Sequence, residues 1–258
     1  MLCARATIAT QTGAGRVENQ GRYLVTDRRV ALADGMGGHR SGGTAAQIAI
    51  DALEQIGPST SSADLVRGFW VANGAILDDI RRHPDRSTMG TTLVALDLVG
   101  GPGVTSATVA SVGDGRLYRR RGGVLWRVTV DHTWEAEMLA CGAAAVAARR
   151  RRHVLTRALS TAALVDVDVW ELDVEPGNQF LLCSDGVSGA LDDPAIERSW
   201  NAAGADAAAG EIVAAAIAAG GRDDATALVV RLTTACDGQT PARRRGLDRF
   251  GTRAVPAR

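Results

Sequence analysis

The runs TTLVALDLV (91–99), TSATVASVG (105–113), RLYRR (116–120) and VLWRVTV (124–130) decide how this chain is read. All four are short and β-prone and are joined by glycine-containing turns, so they are expected to pair as an antiparallel meander. Upstream, Ala45, Ile48, Ala49, Ala52, Leu53 and Ile56 recur at helical spacing until Gly57-Pro58. A second apolar stripe, Leu65, Phe69, Ala72, Ile76 and Ile80, starts from Ser62 as N-cap and stops at His83-Pro84. Before these helices, ATIAT, RYLVT and RRVALA read as strands. After the meander, DVDVWELDV and NQFLLCS return to strand, Asp206 to Ala219 reads as a helix ended by Gly220-Gly221, and ATALVVRL is a last buried strand. Strands, two helices, strands, one or two helices and a final strand lack the regular alternation of a doubly wound sheet. They predict an α+β chain of layered or sandwich type.

Composition narrows the function. The chain has 258 residues, 46% of them hydrophobic, enough for a sizeable core. One domain is expected over residues 1–232, followed by an Arg-rich, disordered tail over 233–258, where periodicity is lost. The 29 basic residues, all Arg, balance 29 acidic ones, which argues against nucleic acid or an anionic membrane as partner. Cys3, Cys141, Cys183 and Cys236 are scattered without a C-x-x-C pair, so neither a zinc site nor a disulfide framework is expected. With no leader-like N-terminus and no apolar run near the ~18 residues of a membrane span, a soluble cytoplasmic chain is expected.

Three aspartate-glycine clusters stand out: Asp34 in ALADGMGGH, Asp185 in LLCSDGVSG, and Asp223-Asp224 in GGRDDATALVV. Each lies where a β-prone run meets glycine, which reads as a carboxylate at a strand end with the backbone free to turn. Any one alone is an ordinary turn. Three that converge would hold hard divalent cations, and a pair of such ions clamps a phosphoryl group for in-line attack by bound hydroxide.

In chain order from Arg16 to Leu232, the motifs RVENQ, ALADGMGGH, STMGTTLVAL, ASVGDGRLYRR, VTVDHT, VLTRALS, LLCSDGVSGAL and GGRDDATALVV resemble those of the bacterial metal-dependent Ser/Thr protein phosphatases of type 2C. The resemblance implies two central antiparallel sheets packed as a sandwich, with helices on both outer faces. It implies hydrolysis of phosphoserine and phosphothreonine in proteins by a hydroxide bridging two Mn²⁺ or Mg²⁺ ions. Asp34 would bridge the ions, the carbonyl of Gly35 would help hold one, and Asp185 and Asp223 would complete the other. Asp114, with Asp185, would hold a third, more labile ion, and Arg16 would grip the phosphate with its planar fork. Partners would be phosphorylated proteins and a Ser/Thr kinase or its targets, met by a monomer. Residues 133–152 fall where the family carries its variable flap.

The chain also departs from that pattern. The signature R-x-x-N/M-E-D is here Arg16-Val17-Glu18-Asn19-Gln20-Gly21, so the ligand glutamate is Gln20 and the aspartate beside it is Gly21. An amide offers a carbonyl oxygen but no charge, and affinity for the second ion should fall. Glu18, on the same strand face, and Asp224, where asparagine is usual, are candidates to compensate. The alternative reading is therefore a pseudophosphatase that binds a phosphorylated partner and turns over little or nothing. Met36 stands where some members carry a histidine. His39 is expected to pack, Asp131-His132 to make a structural hydrogen bond, Thr88, Gly90 and Thr91 to form a turn, and Cys183 to lie in the core.

Overall fold

The computed structural model describes residues 2–37, 41–99, 106–144, 151, 153–204 and 206–234, together with the backbone of 244–245. Five strands make one antiparallel sheet in the order β1 (Cys3–Gln11), β11 (Ala225–Thr233), β10 (Gln179–Cys183), β7 (Arg116–Arg121), β8 (Val124–Arg127). The other sheet has the order β12 (Arg244–Arg245), β2 (Gly21–Val25), β3 (Arg29–Met36), β5 (Leu93–Val99), β6 (Ser106–Val112), β9 (Asp168–Asp173), with β4 (Gly90–Thr91) paired to the end of β3. Helices α1 (Ser41–Ile56) and α2 (Ser62–Arg82) cover one sheet. The other is covered by α4 (Asp185–Ser188), α5 (Asp193–Ala202) and α6 (Ala208–Ala218). A short α3 (Trp134–Ala140) lies between β8 and β9.

The layering follows from strand alternation. On β3, Val30 and Leu32 join the core between the sheets, while Ala31 and Ala33 pack under the first helix pair. On β10 and β11, Phe180, Leu182, Leu228 and Val230 face the inter-sheet core, while Leu181, Cys183, Ala227 and Val229 face the second helix layer. Strands buried on both faces read as continuous apolar runs, which is how these appear in the sequence. Each large aliphatic side chain fully buried here contributes about 1.5–3 kcal/mol. This is the expected α+β sandwich with helices on both outer faces.

Several local expectations need correction. The four central runs do not form one meander, because β5–β6 is a hairpin of one sheet and β7–β8 a hairpin of the other. The chain changes sheets through Gly113-Asp114-Gly115, with Gly113 at φ +104°, a turn tight enough that a Cβ there would come within 2.6 Å of Thr92. The last run ends as strand at Arg127. The N-cap of α2 is Ser61, whose hydroxyl accepts from the Asp64 N–H. Helix α5 has no counterpart in the sequence reading. Its cap is Asp192, which accepts from the Ala195 N–H, and Pro194 occupies its first turn, a start signal that the Asp-Gly motif just upstream obscured. Cys3 is disulfide-bonded, a single bridge where no disulfide framework was expected; Cys141 and Cys183 are free, and Cys183 is buried. Of the tail, Arg244–Arg245 pairs antiparallel with β2; the remainder beyond Thr234, like His39, lies outside the described residues. No helix among the described residues is long and apolar enough to cross a membrane.

Candidate active site

Asp34 is fixed by its backbone. Its N–H donates to Thr92 Oγ1 at 3.2 Å, and its carbonyl accepts from the Thr92 N–H and from Thr91 Oγ1, each at 2.9 Å. Thr91 thus holds the aspartate-bearing end of β3 rather than forming only a turn. Next to it, a Cβ on Gly35 would lie 2.1 Å from the Gly42 carbonyl oxygen. Only glycine lets the first turn of α1 close onto the strand at this point.

The two remaining acidic motifs are stitched together. The Ser184 N–H donates to the Thr226 carbonyl at 3.0 Å, its hydroxyl donates to the Asp224 carbonyl at 3.0 Å, and that hydroxyl accepts from the Thr226 N–H at 3.1 Å. Asp185 therefore opens α4 directly beside the Asp223-Asp224 turn. Asp224 is buried, and its two carboxylate oxygens accept the N–H groups of Gly13 and Gln20, each at 2.8 Å. It acts as a clamp between the 223–224 turn and the loop from Gly13 to Gln20, so the expectation that it is there to attract cations gives way to a structural role.

Asp114 sits in the turn that crosses between the sheets. That turn is braced by His132, whose N–H donates to the Gly113 carbonyl and whose Nδ1 accepts the Gly113 N–H, both at 3.0 Å. With Nδ1 an acceptor, Nε2 carries the proton and faces Asp168 Oδ2 at 3.2 Å. Asp131 takes Arg116 in a forked ion pair, Nη2 to Oδ2 at 2.7 Å. The structural role expected for Asp131-His132 is what is found.

The four aspartates act on one another. Burial, then Asp185, Asp223 and Asp114, hold the Asp34 carboxyl well above the usual range. Burial and Asp223 raise Asp185, which shares a hydrogen bond with Asp34. Burial and Asp185 push Asp114 up to about 7. Asp185 lines two adjoining clefts, one with Asp223 and Arg222 and one with Asp114, Arg116 and Asp131; His153, which the sequence reading passed over, borders both. Such a set of crowded oxygen donors fits hard divalent cations. As they stand, no three acidic, histidine or cysteine side chains among the described residues close round a common point, and Asp223 is turned to Arg16, with which it forms an ion pair.

These raised carboxyls have a consequence for stability. Folded, they keep their protons to higher pH than in an unfolded chain, so the stability they contribute is complete below the ordinary carboxylate range. It is lost as pH rises through their folded values. Melting temperature of the metal-free protein should therefore fall between pH 5 and pH 8, Mn²⁺ should restore it, and Asp114→Asn should flatten the slope near neutrality. A metal-free melting temperature that holds or rises over this interval would contradict the mutual repulsion described here.

Gln20 is buried, with Oε1 2.5 Å from the point that a Cβ on Gly42 would occupy and the Gly35 carbonyl carbon 2.8 Å from the same point. Its amide thus lies at the Asp34-Gly35 corner. Glu18 lies beside the next residue: its Oε1 and the Arg22 Nη2 are 3.4 and 2.9 Å from the point that a Cβ on Gly43 would occupy. Arg22, which the sequence motifs do not single out, is a buried cation close to this corner, and Glu18 is the first of the acidic groups that act on it.

A profile described as protein phosphatase 2C matches residues 18–219. The chain belongs to the protein phosphatase 2C family. Serine/threonine protein phosphatase PstP of Mycobacterium tuberculosis is 30% identical over 246 residues, which is 93% of this chain and 47% of that protein, so the chain spans about half the length of that relative. Among solved structures of the family, the catalytic domain of PstP in complex with two manganese ions superposes with a TM-score of 0.81 at 29% identity, over 90% of this chain and all of that one. The phosphatase MsPP of Mycobacterium smegmatis, in complex with cacodylate, superposes with a TM-score of 0.77 at 31% identity, over 88% of this chain and 97% of that one.

Proposed function

We propose that this chain is a protein-serine/threonine phosphatase dependent on Mn²⁺ or Mg²⁺. The observation that carries the reading is that Asp185, Asp223 and Asp114 lie near enough to Asp34 to raise its carboxyl, with Arg16 paired to Asp223, in a member of the protein phosphatase 2C family. Asp34, Asp185 and Asp223, with the Gly35 carbonyl, are the groups that would hold the cations, and Gln20 and Asp114 are the weaker or more labile donors. Cations bound there would neutralise phosphate oxygens and lower the pKa of water enough to make it a nucleophile.

The remaining work belongs to the chain itself. The Arg16 guanidinium, held at the rim through Asp223 and 4.0 Å from Asp224, presents a planar fork suited to two phosphate oxygens. Cys183, two residues before Asp185, lies in the core with its thiol pushed by burial up to about 12, unlike the activated thiolate of a cysteine-based phosphatase. The substrate is a phosphorylated protein, the natural counterpart of a Ser/Thr kinase. The chain is taken to act as a monomer. The comparisons lend nothing to the alternative of a domain that binds but does not hydrolyse.

The test is turnover of a phosphothreonine peptide and of an aryl phosphate with Mn²⁺ titrated to millimolar levels. Metal-dependent release of phosphate from both is expected, and none from either would overturn the proposal. Arg16→Ala should raise KM for phosphate monoesters while leaving manganese affinity unweakened, because it removes a competitor for Asp223. An unchanged kcat/KM would remove Arg16 from the site.

A further inference from the structure

The two ends of the carboxylate cluster differ in charge. Around Asp185 stand Asp34, Asp223 and Asp114. At the other end, the corner of Gln20 and Gly35, the charge comes from the shared Asp34, while Asp224, among the described residues, is bound to two backbone N–H groups. That end also carries a fixed cation. Arg22 is 6% exposed; its Nη1 donates to the carbonyls of Asn19 and Gly21, each at 2.8 Å, and its Nε has no hydrogen-bond partner among the described residues. Its Nη2 lies beside Gly43, next to the Gly42 position faced by the Gln20 amide, and the acidic groups acting on it are Glu18, Asp224 and Asp34. The first turn of α1, with no acidic residue of its own, adds the positive end of a helix dipole at the same place.

We infer that this chain holds one divalent cation tightly, between Asp34, Asp185 and Asp223, and that Arg22 sets the affinity for a second cation at the Gln20-Gly35 corner at least tenfold lower. A divalent ion entering that corner gains a neutral amide and a carbonyl. It meets a guanidinium that cannot give up its charge. Glu18 is the acidic group with the largest influence on that guanidinium, and at the point beside Gly43 the Arg22 Nη2 is the nearer of the two, at 2.9 against 3.4 Å. Arg22 is thus a positioning residue for metal stoichiometry, one that touches neither substrate nor reacting atoms. The inference rests on the proposed phosphatase site, and it sets this chain apart from the PstP catalytic domain with its two manganese ions.

Manganese binding measured by calorimetry, and by electron paramagnetic resonance of free and bound Mn²⁺, tests this without any assay of turnover. Wild type should bind one ion per chain, the next at least tenfold more weakly. Arg22→Gln should tighten the second ion about tenfold and leave the first unchanged, Arg22→Lys should behave as wild type, and Gln20→Glu with Arg22→Gln should bind two ions of comparable affinity. Two equally tight, spin-coupled ions in the wild type would overturn the inference while leaving the phosphatase reading intact. So would a second dissociation constant unmoved by Arg22→Gln. Because Arg22 is buried, the wild-type stoichiometry decides the matter even if that variant fails to fold. Absence of any Mn²⁺ binding would overturn both the inference and the site on which it rests.

Discussion

Asp185→Asn is expected to abolish Mn²⁺-dependent phosphate release, lowering kcat/KM by at least about a hundredfold, equivalent to about 2.7 kcal/mol of transition-state stabilisation. Asp34→Ala should do the same. The loss is local: Asn keeps the shape of the side chain at the start of α4, where Ser184 and Thr226 fix the backbone independently of the carboxylate. The charge removed is one that Asp223 repels, so the metal-free variant should melt no lower than wild type. What it should lose is the stabilisation that Mn²⁺ gives by binding the folded state. Near-normal turnover at saturating Mn²⁺ would take Asp185 out of the reaction centre. A collapse in metal-free melting temperature would instead assign it a structural role.

The largest expected effect on folding lies away from the cluster, at Asp97. Its carboxylate, fully buried on β5, accepts Arg29 Nε at 2.7 Å and the Ser59 N–H at 2.9 Å. The same guanidinium donates to Ser59 Oγ at 3.0 Å and to the Leu53 carbonyl. Arg29 and Asp97 are register partners in β3 and β5, so this network ties the strand that carries Asp34 to the end of α1. Asp97→Ala leaves a buried guanidinium unpaired and should cost about 3–5 kcal/mol. For a chain of this size that is a fall of about 6–20 °C in melting temperature. Replacing both partners, as Arg29→Met with Asp97→Leu, should recover much of the loss, because the desolvation penalty disappears with the charges. A drop below 1 kcal/mol for Asp97→Ala would show that the pair is solvated.

These two networks mark what could and could not be read from the sequence. The sandwich was legible because strands such as β10 and β11, buried on both faces, leave unbroken apolar runs, and because α1 and α2 have clear stripes. The grouping of the acidic residues was legible because Asp34, Asp185 and Asp223 each sit in a glycine-flanked motif. The split of the central strands between two sheets was hidden, since hairpins in one sheet or in two have the same local pattern, and only the Gly113-Asp114-Gly115 turn distinguishes them. The Arg29–Asp97 pair spans 68 residues and has no local signature. Asp224 and Glu18 were read as charges available to cations. The backbone N–H groups that hold Asp224, and the closeness of Glu18 to the buried Arg22, depend on how the loop from Gly13 to Gln20 folds against the 223–224 turn. That is a tertiary fact with no periodicity to reveal it.

The central claim is that Asp34, Asp185 and Asp223 share a divalent cation. Anomalous diffraction from crystals grown with Mn²⁺ tests it most directly. The account predicts a strong manganese peak ligated by these three carboxylates, with Asp223 withdrawn from Arg16 and any peak at the Gln20-Gly35 corner weaker. Manganese bound elsewhere, with the Arg16–Asp223 ion pair intact at saturating metal, would contradict it.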